Sequence, residues 1–352
     1  MKLYPNIVSL FVLWLVCFTF IAYFGFISFP HSGKFSDNFF MSLANWDGGH
    51  FLGIAEYGYM EKFQYAFFPL YPMLIRALNS VVQNYLFSAL LISVMSSFLA
   101  LNLLYRLILQ DFDKKIAQKA ILALIFFPTS FYFLTAYSEG LFFLLVIATF
   151  FLKSKGKLFW ATILASLASA TRLAGIALVL AFMVEVLIEG KGKKNWYVFF
   201  APLGFVIYCY YLNLQTSDPF YFITAQTYWL RNLALPGVGF WETIKALTSG
   251  ELLTKNFNGF LDLIFAVFGL GMIIRSFRFL PPFYCVYGLS SILLPLLTPS
   301  LSSIPRFLLP IFPIFILMAL VKNQNVFLFY QLISIMLLSA FAILFINGYW
   351  VS

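Results

Sequence analysis

Long, continuous apolar runs separated by short polar segments dominate the chain, and they predict membrane-spanning helices. A transmembrane strand shows alternating apolar and polar positions, and the runs show no such alternation. The pattern therefore predicts an all-α, polytopic transmembrane helical bundle of about 11 spans with an inside N-terminus. The predicted spans lie roughly at residues 7–29, 84–106, 120–136, 140–152, 158–170, 173–190, 196–214, 257–274, 279–297, 307–321 and 326–349.

The first apolar run, Ile7 to Phe29, is 23 residues long. That exceeds a signal-peptide core, and no small-x-small cleavage site follows, so we expect a retained first helix. Two long outer segments are predicted, at about 30–83 and 215–256. With no soluble domain or tandem repeat between the runs, residues 1–352 are expected to form one integral-membrane domain whose outer loops carry the site.

Composition excludes the other broad classes. The chain is 62% hydrophobic and 10% charged, which is too apolar for a soluble or a disordered protein. The three cysteines, Cys17, Cys209 and Cys285, lie inside apolar runs and form no CxxC pair. Neither a disulfide framework nor a zinc site is predicted from them, and no metal or other cofactor is expected.

The net charge of +9 reflects how the protein is oriented in the membrane. In the predicted topology 14 of the 22 basic residues and four of the 13 acidic residues lie inside, which leaves eight basic and nine acidic residues outside. The positive-inside rule accounts for the whole imbalance, so no nucleic-acid partner is needed. The inside basic residues are Lys2, Arg106, Lys114, Lys115, Lys119, Lys153, Lys155, Lys157, Lys191, Lys193, Lys194, Arg275, Arg278 and Lys322.

Two predicted hairpins, residues 120–152 and 158–190, are short for a double crossing. Each has 33 residues, and a leg of about 16 residues reaches only about 24 Å. Their outer turns, which carry Glu139 and Arg172, are therefore expected to lie recessed below the outer membrane surface.

The middle of every predicted span is free of charge, which disfavours an ion-coupled transporter. Near the outer boundary, Arg172 and Arg306 have the donor geometry to bind a lipid phosphate bidentately. For each arginine the alternative is snorkelling to the interface or pairing with a neighbouring acid.

The first outer loop holds the densest group of polar residues, and helical spacing places Asp47, His50, Phe51 and Ile54 on one face. Its aromatic residues predict interfacial helices in this loop, one ending near Gly58 and another near Arg76. Asp47 has two interpretations, a helix N-cap, which spacing alone favours, and a general base. For His50, a metal site with Asp47 and Glu56 is less favoured than a polar or aromatic-stacked histidine.

The polar and aromatic motifs together resemble those of the PIG-V-like mannosyltransferases, which are polytopic glycosyltransferases of the GT-C class. The matching motifs, in chain order between residues 45 and 313, are Trp46-Asp47 with Phe51, Ile54-Ala55-Glu56 and Gly58-Tyr59; Phe67-Phe68-Pro69-Leu70-Tyr71-Pro72; Tyr137-Ser138-Glu139; Ser169-Ala170-Thr171-Arg172 with Gly175; Asp218-Pro219-Phe220 with Gln226 and Trp229; and Pro305-Arg306-Phe307 with Pro310 and Phe312-Pro313. Two positions depart from the family pattern: Ser217 stands before Asp218 where glycine is expected, and His50 occupies a variable position.

The resemblance implies a GT-C fold with a catalytic acid in the first outer loop and a polyprenyl-phosphate-linked mannose, such as dolichyl phosphate mannose, as donor. The expected acceptor is a lipid-linked or surface glycan. The chain looks shorter than eukaryotic members, so we expect a multi-pass protein of a prokaryotic cell membrane, or of the endoplasmic reticulum if eukaryotic, with an outer or lumenal site.

An inverting transfer follows from this resemblance, with Asp47 as the base. Arg172 and Arg306 are expected to stabilise the leaving phosphate, and Glu139 to hold the acceptor or a donor hydroxyl. The other expected substrate-binding residues are Trp46, His50, Glu56, Asp218, Gln226, Trp229 and Arg231. For Gln226, Trp229 and Arg231 the alternative is interfacial packing. Two other functions stay open: a lipid or solute transporter or flippase, and a non-catalytic membrane subunit.

Overall fold

The structure is a computed structural model that describes residues 4–35, 37–189, 195–229, 231–249 and 257–351. Four basic residues used for the predicted orientation, Lys2, Lys191, Lys193 and Lys194, lie outside the described residues, as does part of the predicted outer loop 215–256.

The described residues form an all-helical protein. Short 3₁₀ turns connect several of the α-helices. The helices are α1 Pro5–Ser28, α2 Phe39–Ser42, α3 Asp47–Tyr57, α4 Leu70–Val82, α5 Tyr85–Ile108, α6 Lys114–Ile125, α7 Glu139–Ser154, α8 Leu158–Thr171, α9 Ile176–Glu189, α10 Leu203–Thr216, α11 Tyr221–Gln226, α12 Val238–Thr248, α13 Phe257–Ser276, α14 Pro282–Leu293, α15 Ile304–Leu308, α16 Pro313–Ala319 and α17 Gln324–Ile346.

Five described helical segments are long and apolar enough to cross a membrane. They are Pro5–Ser28, Tyr85–Ile108, Trp196–Thr216, Asn258–Ser276 and Gln324–Ile346. Each coincides with a predicted span. The other six predicted spans fall on helices shorter than 18 residues, so the count of about 11 spans stays a prediction.

Proline explains two of these differences. The run predicted as one helix over 120–136 ends as a helix at Ile125 and, after Pro128, continues as the 3₁₀ turn Ser130–Leu134. The run over 307–321 is divided between α15 and α16, with Pro310 between the two helices. Proline lacks the backbone N–H and clashes with the preceding turn, so an apolar run need not be one helix.

Small side chains let α7 pack closely against α5. A Cβ on Gly140 would lie 2.6 Å from the backbone oxygen of Ser93, so only glycine fits there. The Ser93 hydroxyl donates to the backbone oxygen of Tyr137 at 2.8 Å, and the Ser97 hydroxyl donates to that of Phe133 at 2.8 Å. These contacts, typical of membrane helix pairs, fix the turn that leads into Glu139.

The first and last long helices pack together beside the first outer loop. Helix α17 packs against α1, and the Asn347 amide donates to the backbone oxygen of Gly25 at 3.1 Å. The Asn45 amide donates to the backbone oxygen of Phe345 at 2.9 Å. The first outer loop, the turn before α7 and the residues after α17 therefore lie together at one end of the bundle.

Candidate functional site

Four charged side chains from four separate parts of the chain meet at this end of the bundle. Asp47 begins α3, Glu139 begins α7, Arg172 follows α8 and Arg306 lies in α15. They form alternating ion pairs, and we call them the charged cluster. The helix dipole favours an acid at a helix N-terminus and a base after a C-terminus, so Asp47, Glu139 and Arg172 occupy electrostatically matched positions.

Arg306 joins the two acids of the charged cluster. Its Nη1 lies 2.6 Å from Oδ2 of Asp47, and its Nε donates to Oε1 of Glu139. The residue is 7% exposed, so both bonds form in a largely water-free environment. Pairing with an acid, one of the two alternatives to phosphate binding that the sequence left open for Arg306, is the arrangement found.

Glu139 receives both arginines on a single oxygen. The Arg172 Nη1 lies 2.5 Å from Oε1 of Glu139 and also donates to the Ser138 hydroxyl at 3.2 Å. The second oxygen, Oε2, is buried and has no hydrogen-bond partner among the described residues. A buried, unsatisfied carboxylate oxygen is costly, which makes it an acceptor for a hydroxyl of a bound ligand.

Two tyrosine rings support the Arg306 guanidinium. The ring centroids of Tyr132 and Tyr137 lie 4.9 and 4.8 Å from its central carbon. The Tyr137 hydroxyl donates to the backbone oxygen of Asn45 at 2.8 Å, and this bond joins the pair of tyrosines to the loop that carries Asp47. Sequence reasoning missed both rings. The quoted motif around Glu139 contained Tyr137, but no sequence signal distinguished Tyr132.

Asp47 does not cap its helix, so the N-cap interpretation was wrong. Trp46 occupies the N-cap position with φ 59° and ψ −122°, and no side chain caps α3. A non-glycine residue in this region is strained by about 1–3 kcal/mol and needs its surroundings to hold it. The Asp47 carboxylate instead extends towards Arg306.

The Asp47 carboxylate is ionised and accessible. Burial alone would raise the pKa of Asp47, but Arg306, assisted by Arg172, holds that pKa below its ordinary value. Its side chain is 20% exposed against 3% for Glu139. Within the described residues Oδ1 of Asp47 has no hydrogen-bond partner, so one oxygen remains free to accept a proton.

His50 lies among aromatic rings, as the favoured interpretation predicted. Its ring centroid lies 5.2 Å from that of Phe63, 5.3 Å from Phe67 and 6.4 Å from Trp229. Burial lowers the pKa of His50, although Asp47 opposes the shift, so the imidazole is neutral at neutral pH. These rings form an apolar wall one helical turn from Asp47.

The structure does not bring Glu56 to the charged cluster. Glu56 is exposed at the far end of α3, nine residues beyond Asp47, where its backbone oxygen accepts from Arg76 at 3.2 Å. At 1.5 Å per residue the separation along the helix is about 13 Å. No group of three His, Cys, Asp or Glu side chains suited to a metal ion was found in the part of the chain that the structure describes.

The later outer segment contributes Trp229 and Arg231 to the same region. Arg231 donates from Nη2 to the backbone oxygen of Ser302 at 3.0 Å, and its guanidinium lies 5.1 Å from the Phe307 ring. Burial lowers the pKa of Arg231 to about 10, so it stays charged at neutral pH. Half-buried Gln226 accepts through its backbone oxygen from the Arg231 N–H at 3.2 Å.

Asp218 has a local structural role. Its Oδ1 accepts from the backbone N–H of Phe220 at 2.8 Å, which forms an Asx turn before α11. This hydrogen bond gives Asp218 a structural role that requires no bound ligand.

The fold and site define a polytopic membrane protein whose fold resembles that of GT-C enzymes. The structure is similar to ArnT from Cupriavidus metallidurans, crystallised bound to undecaprenyl phosphate, with a TM-score of 0.53 and 16% sequence identity. The similarity covers 93% of this chain and 63% of that chain. At this level of identity it describes the fold alone.

Sequence comparison supports the resemblance seen in the motifs. Residues 27–191 match the family described as Mannosyltransferase (PIG-V), so the resemblance is confirmed for this part of the chain. Human GPI alpha-1,6-mannosyltransferase 2 is 32% identical over 150 residues, which cover 39% of this chain and 30% of that protein. GPI mannosyltransferase 2 of Drosophila pseudoobscura pseudoobscura is 33% identical over 111 residues, 28% of this chain and 25% of that protein. The chain thus matches less than a third of these relatives' length.

Proposed function

We propose that this protein transfers mannose from a polyprenyl phosphate donor to a hydroxyl of a glycan or glycolipid acceptor, with inversion at the anomeric carbon. The observation that carries the proposal is the Asp47 carboxylate, ionised, partly exposed and held by Arg306 at 2.6 Å. The match of residues 27–191 to mannosyltransferases supports the sugar, and the fold similarity to ArnT supports a lipid phosphate.

Asp47 acts as general base in this scheme. Its free Oδ1 takes the proton of the acceptor hydroxyl while the sugar passes through an oxocarbenium-like state. Arg306 orients the carboxylate and keeps it ionised, which makes Arg306 a positioning residue. Glu139 offers its unpartnered Oε2 to a donor hydroxyl or to the acceptor.

The leaving polyprenyl phosphate needs positive charge that the acids do not neutralise. Asp47 and Glu139 balance Arg306 and Arg172 within the charged cluster. Arg231 makes no ion pair among the described residues and therefore adds a net positive charge. We assign Arg231 to the phosphate as the source of this charge, and Arg172, 16% exposed, as a further hydrogen-bond donor.

The aromatic residues beside the acids form the sugar-binding wall in this scheme. Trp46 and Trp229 are half-buried. Trp46 directly precedes α3, and the Trp229 ring lies 6.4 Å from His50 and 5.6 Å from Phe67. An aromatic ring presents an apolar face to the C–H side of a sugar while charged groups bind its hydroxyls.

We place the site on the outer or lumenal side, in a prokaryotic cell membrane or in the endoplasmic reticulum of a eukaryote. The scheme uses this chain's own residues as base, positioning group and phosphate ligands.

The deciding experiment reconstitutes the purified protein in vesicles with polyprenyl phosphate mannose and a membrane glycolipid extract. Mass spectrometry of the lipids is expected to find a mannosylated acceptor together with free polyprenyl phosphate. A transporter or flippase would instead move unmodified donor between leaflets. Absence of transfer by the wild-type protein would support the non-catalytic subunit, and full transfer by Asp47→Ala would overturn our assignment of Asp47 as the base.

A further inference from the structure

The segment that follows α17, residues 347–351, contacts residues around the charged cluster through its backbone carbonyls. Four successive or near-successive carbonyls each accept from a different part of the chain. The donors are Ser32 N–H to Asn347 at 2.9 Å, Trp46 Nε1–H to Tyr349 at 3.3 Å, Asn258 Nδ2–H to Trp350 at 3.1 Å and Tyr132 O–H to Val351 at 3.0 Å. We call residues 347–351 the strap.

The path of the strap depends on a backbone conformation that only glycine adopts readily. Gly348 has φ +78°, and a Cβ there would lie 2.5 Å from the Ser32 hydroxyl, so only glycine allows the turn. Val351 is 1% exposed, which places the strap's last described residue inside the protein, below the Tyr132 hydroxyl.

The strap holds the strained residue that precedes Asp47. The Trp46 ring lies 5.0 Å from Trp350 and 5.1 Å from Phe35, and its indole N–H bonds to the strap. A backbone at positive φ persists only where its surroundings fix it. The φ and ψ angles of Trp46 set the direction in which the backbone enters α3, and therefore where the Asp47 side chain points.

The strap also holds the other half of the Asp47–Arg306 pair. Tyr132 supports the Arg306 guanidinium with its ring, at 4.9 Å, while its hydroxyl bonds to Val351 and not to the charged cluster. Loss of that hydroxyl removes the strap contact and leaves the ring.

We propose that the strap is a positioning element of the site. It keeps the Asp47 and Arg306 side chains in their positions relative to each other by fixing Trp46 and Tyr132. The inference rests on the proposed function for its effect on catalysis, but the contacts themselves do not depend on the reaction.

The test compares two identical substitutions. Tyr132→Phe removes the hydroxyl bond to Val351, and Tyr330→Phe removes an equivalent bond from α17 to the backbone oxygen of Ala123 at 2.7 Å. With polyprenyl phosphate mannose in vesicles, we expect Tyr132→Phe to lower kcat about tenfold or more with donor KM unchanged. Tyr330→Phe is expected to keep both constants.

The pH dependence of kcat/KM separates a positioning role from a purely structural one, because loss of a purely structural contact would leave it unchanged. Loosening Arg306 lets the pKa of Asp47 rise, so the acid limb of kcat/KM in Tyr132→Phe shifts to higher pH. The other titratable or charged groups near Asp47 are Glu139, Arg172, His50, Arg231, Tyr132 and Tyr137. An equal loss of kcat in both variants, or an unmoved acid limb in Tyr132→Phe, overturns the proposal.

Hydrogen exchange separates this inference from the proposed function. Amides of residues 46–48, followed by mass spectrometry without substrate, are expected to exchange faster in Tyr132→Phe and in Trp350→Ala. Tyr330→Phe and Trp160→Ala, which alters an exposed lipid-facing tryptophan, are expected to leave them unchanged, and Trp350→Phe to restore them. Unchanged exchange in Tyr132→Phe and Trp350→Ala overturns the strap. Absence of mannose transfer by the wild-type protein would reject only the proposed function.

Discussion

The Arg306 guanidinium lies 2.6 Å from the Asp47 carboxylate, although 259 residues separate the two in the sequence. The carboxylate points to Arg306, while Trp46 occupies the N-cap position of α3 and no side chain caps that helix. This excludes the N-cap interpretation of Asp47, and its role as general base is our proposal. The bond with Arg306 also holds the pKa of Asp47 below its ordinary value, against the upward effect of burial.

Asp47→Asn is expected to lower mannose transfer by about 10²–10⁴ while the protein folds normally, because asparagine still bonds Arg306 but accepts no proton. Transfer is measured in vesicles and folding by thermal unfolding in detergent. Asp113→Asn is the matched control, since Asp113 caps α6 through a 2.8 Å bond to Ile116 N–H and asparagine caps equally well. Full turnover by Asp47→Asn would exclude Asp47 as the base.

Arg306→Met is expected to destabilise the protein by about 3–5 kcal/mol, because it leaves the buried Glu139 and the partly buried Asp47 without their shared partner. Unfolding in detergent measures the loss. Lys153→Met breaks an ion pair with Glu185 whose side chains are 25% and 21% exposed, and should cost about 1 kcal/mol or less. Similar costs for the two variants would mean that Arg306 does not hold the charged cluster.

Arg172→Lys is expected to raise the donor KM roughly 10–100-fold, since lysine keeps the charge but loses the bidentate geometry for phosphate. The comparison variant is Arg275→Lys, whose guanidinium packs on Phe279 at 5.2 Å near the opposite end of the bundle. Unchanged donor KM in Arg172→Lys would remove this arginine from the phosphate site.

Arg231→Gln is expected to raise the donor KM about tenfold and to weaken its dependence on salt, because one uncompensated positive charge is lost. Lys245→Gln, at an exposed lysine of the same outer segment, provides the control and should change neither. Donor titrations at two ionic strengths measure the difference. A salt dependence unaltered by Arg231→Gln would contradict the assignment.

Transfer is expected to be independent of pH around neutrality. The pKa of His50 is lowered by burial and that of Asp47 is lowered through Arg306, so neither group titrates there. Because the base must be unprotonated, kcat/KM should fall only as pH drops through the depressed pKa of Asp47. The profile is measured with unfolding followed in parallel. A fall near pH 6.5 in a folded protein would point to His50 as the titrating group.

The apolar pattern of the sequence located helices, and two of the predicted runs are broken at a proline. The five long segments coincide with predicted spans because about 20 uninterrupted apolar residues leave a helix as the only way to satisfy the backbone in lipid. The remaining runs became shorter helices and 3₁₀ turns. Hydropathy measures apolar content and says little about where a helix breaks.

The sequence alone also singled out Asp47, Glu139, Arg172 and Arg306, because a charge is conspicuous in a chain with so few. Only the tertiary structure decided how these four side chains combine. Helix ends from distant parts of the chain bring them into one buried group, where each charge needs a partner. The same packing supplied Tyr132, Tyr137 and the strap, whose contacts use aromatic rings and backbone carbonyls. Rings are abundant in this chain and every residue has a carbonyl, so no pattern of residue types marked them in advance.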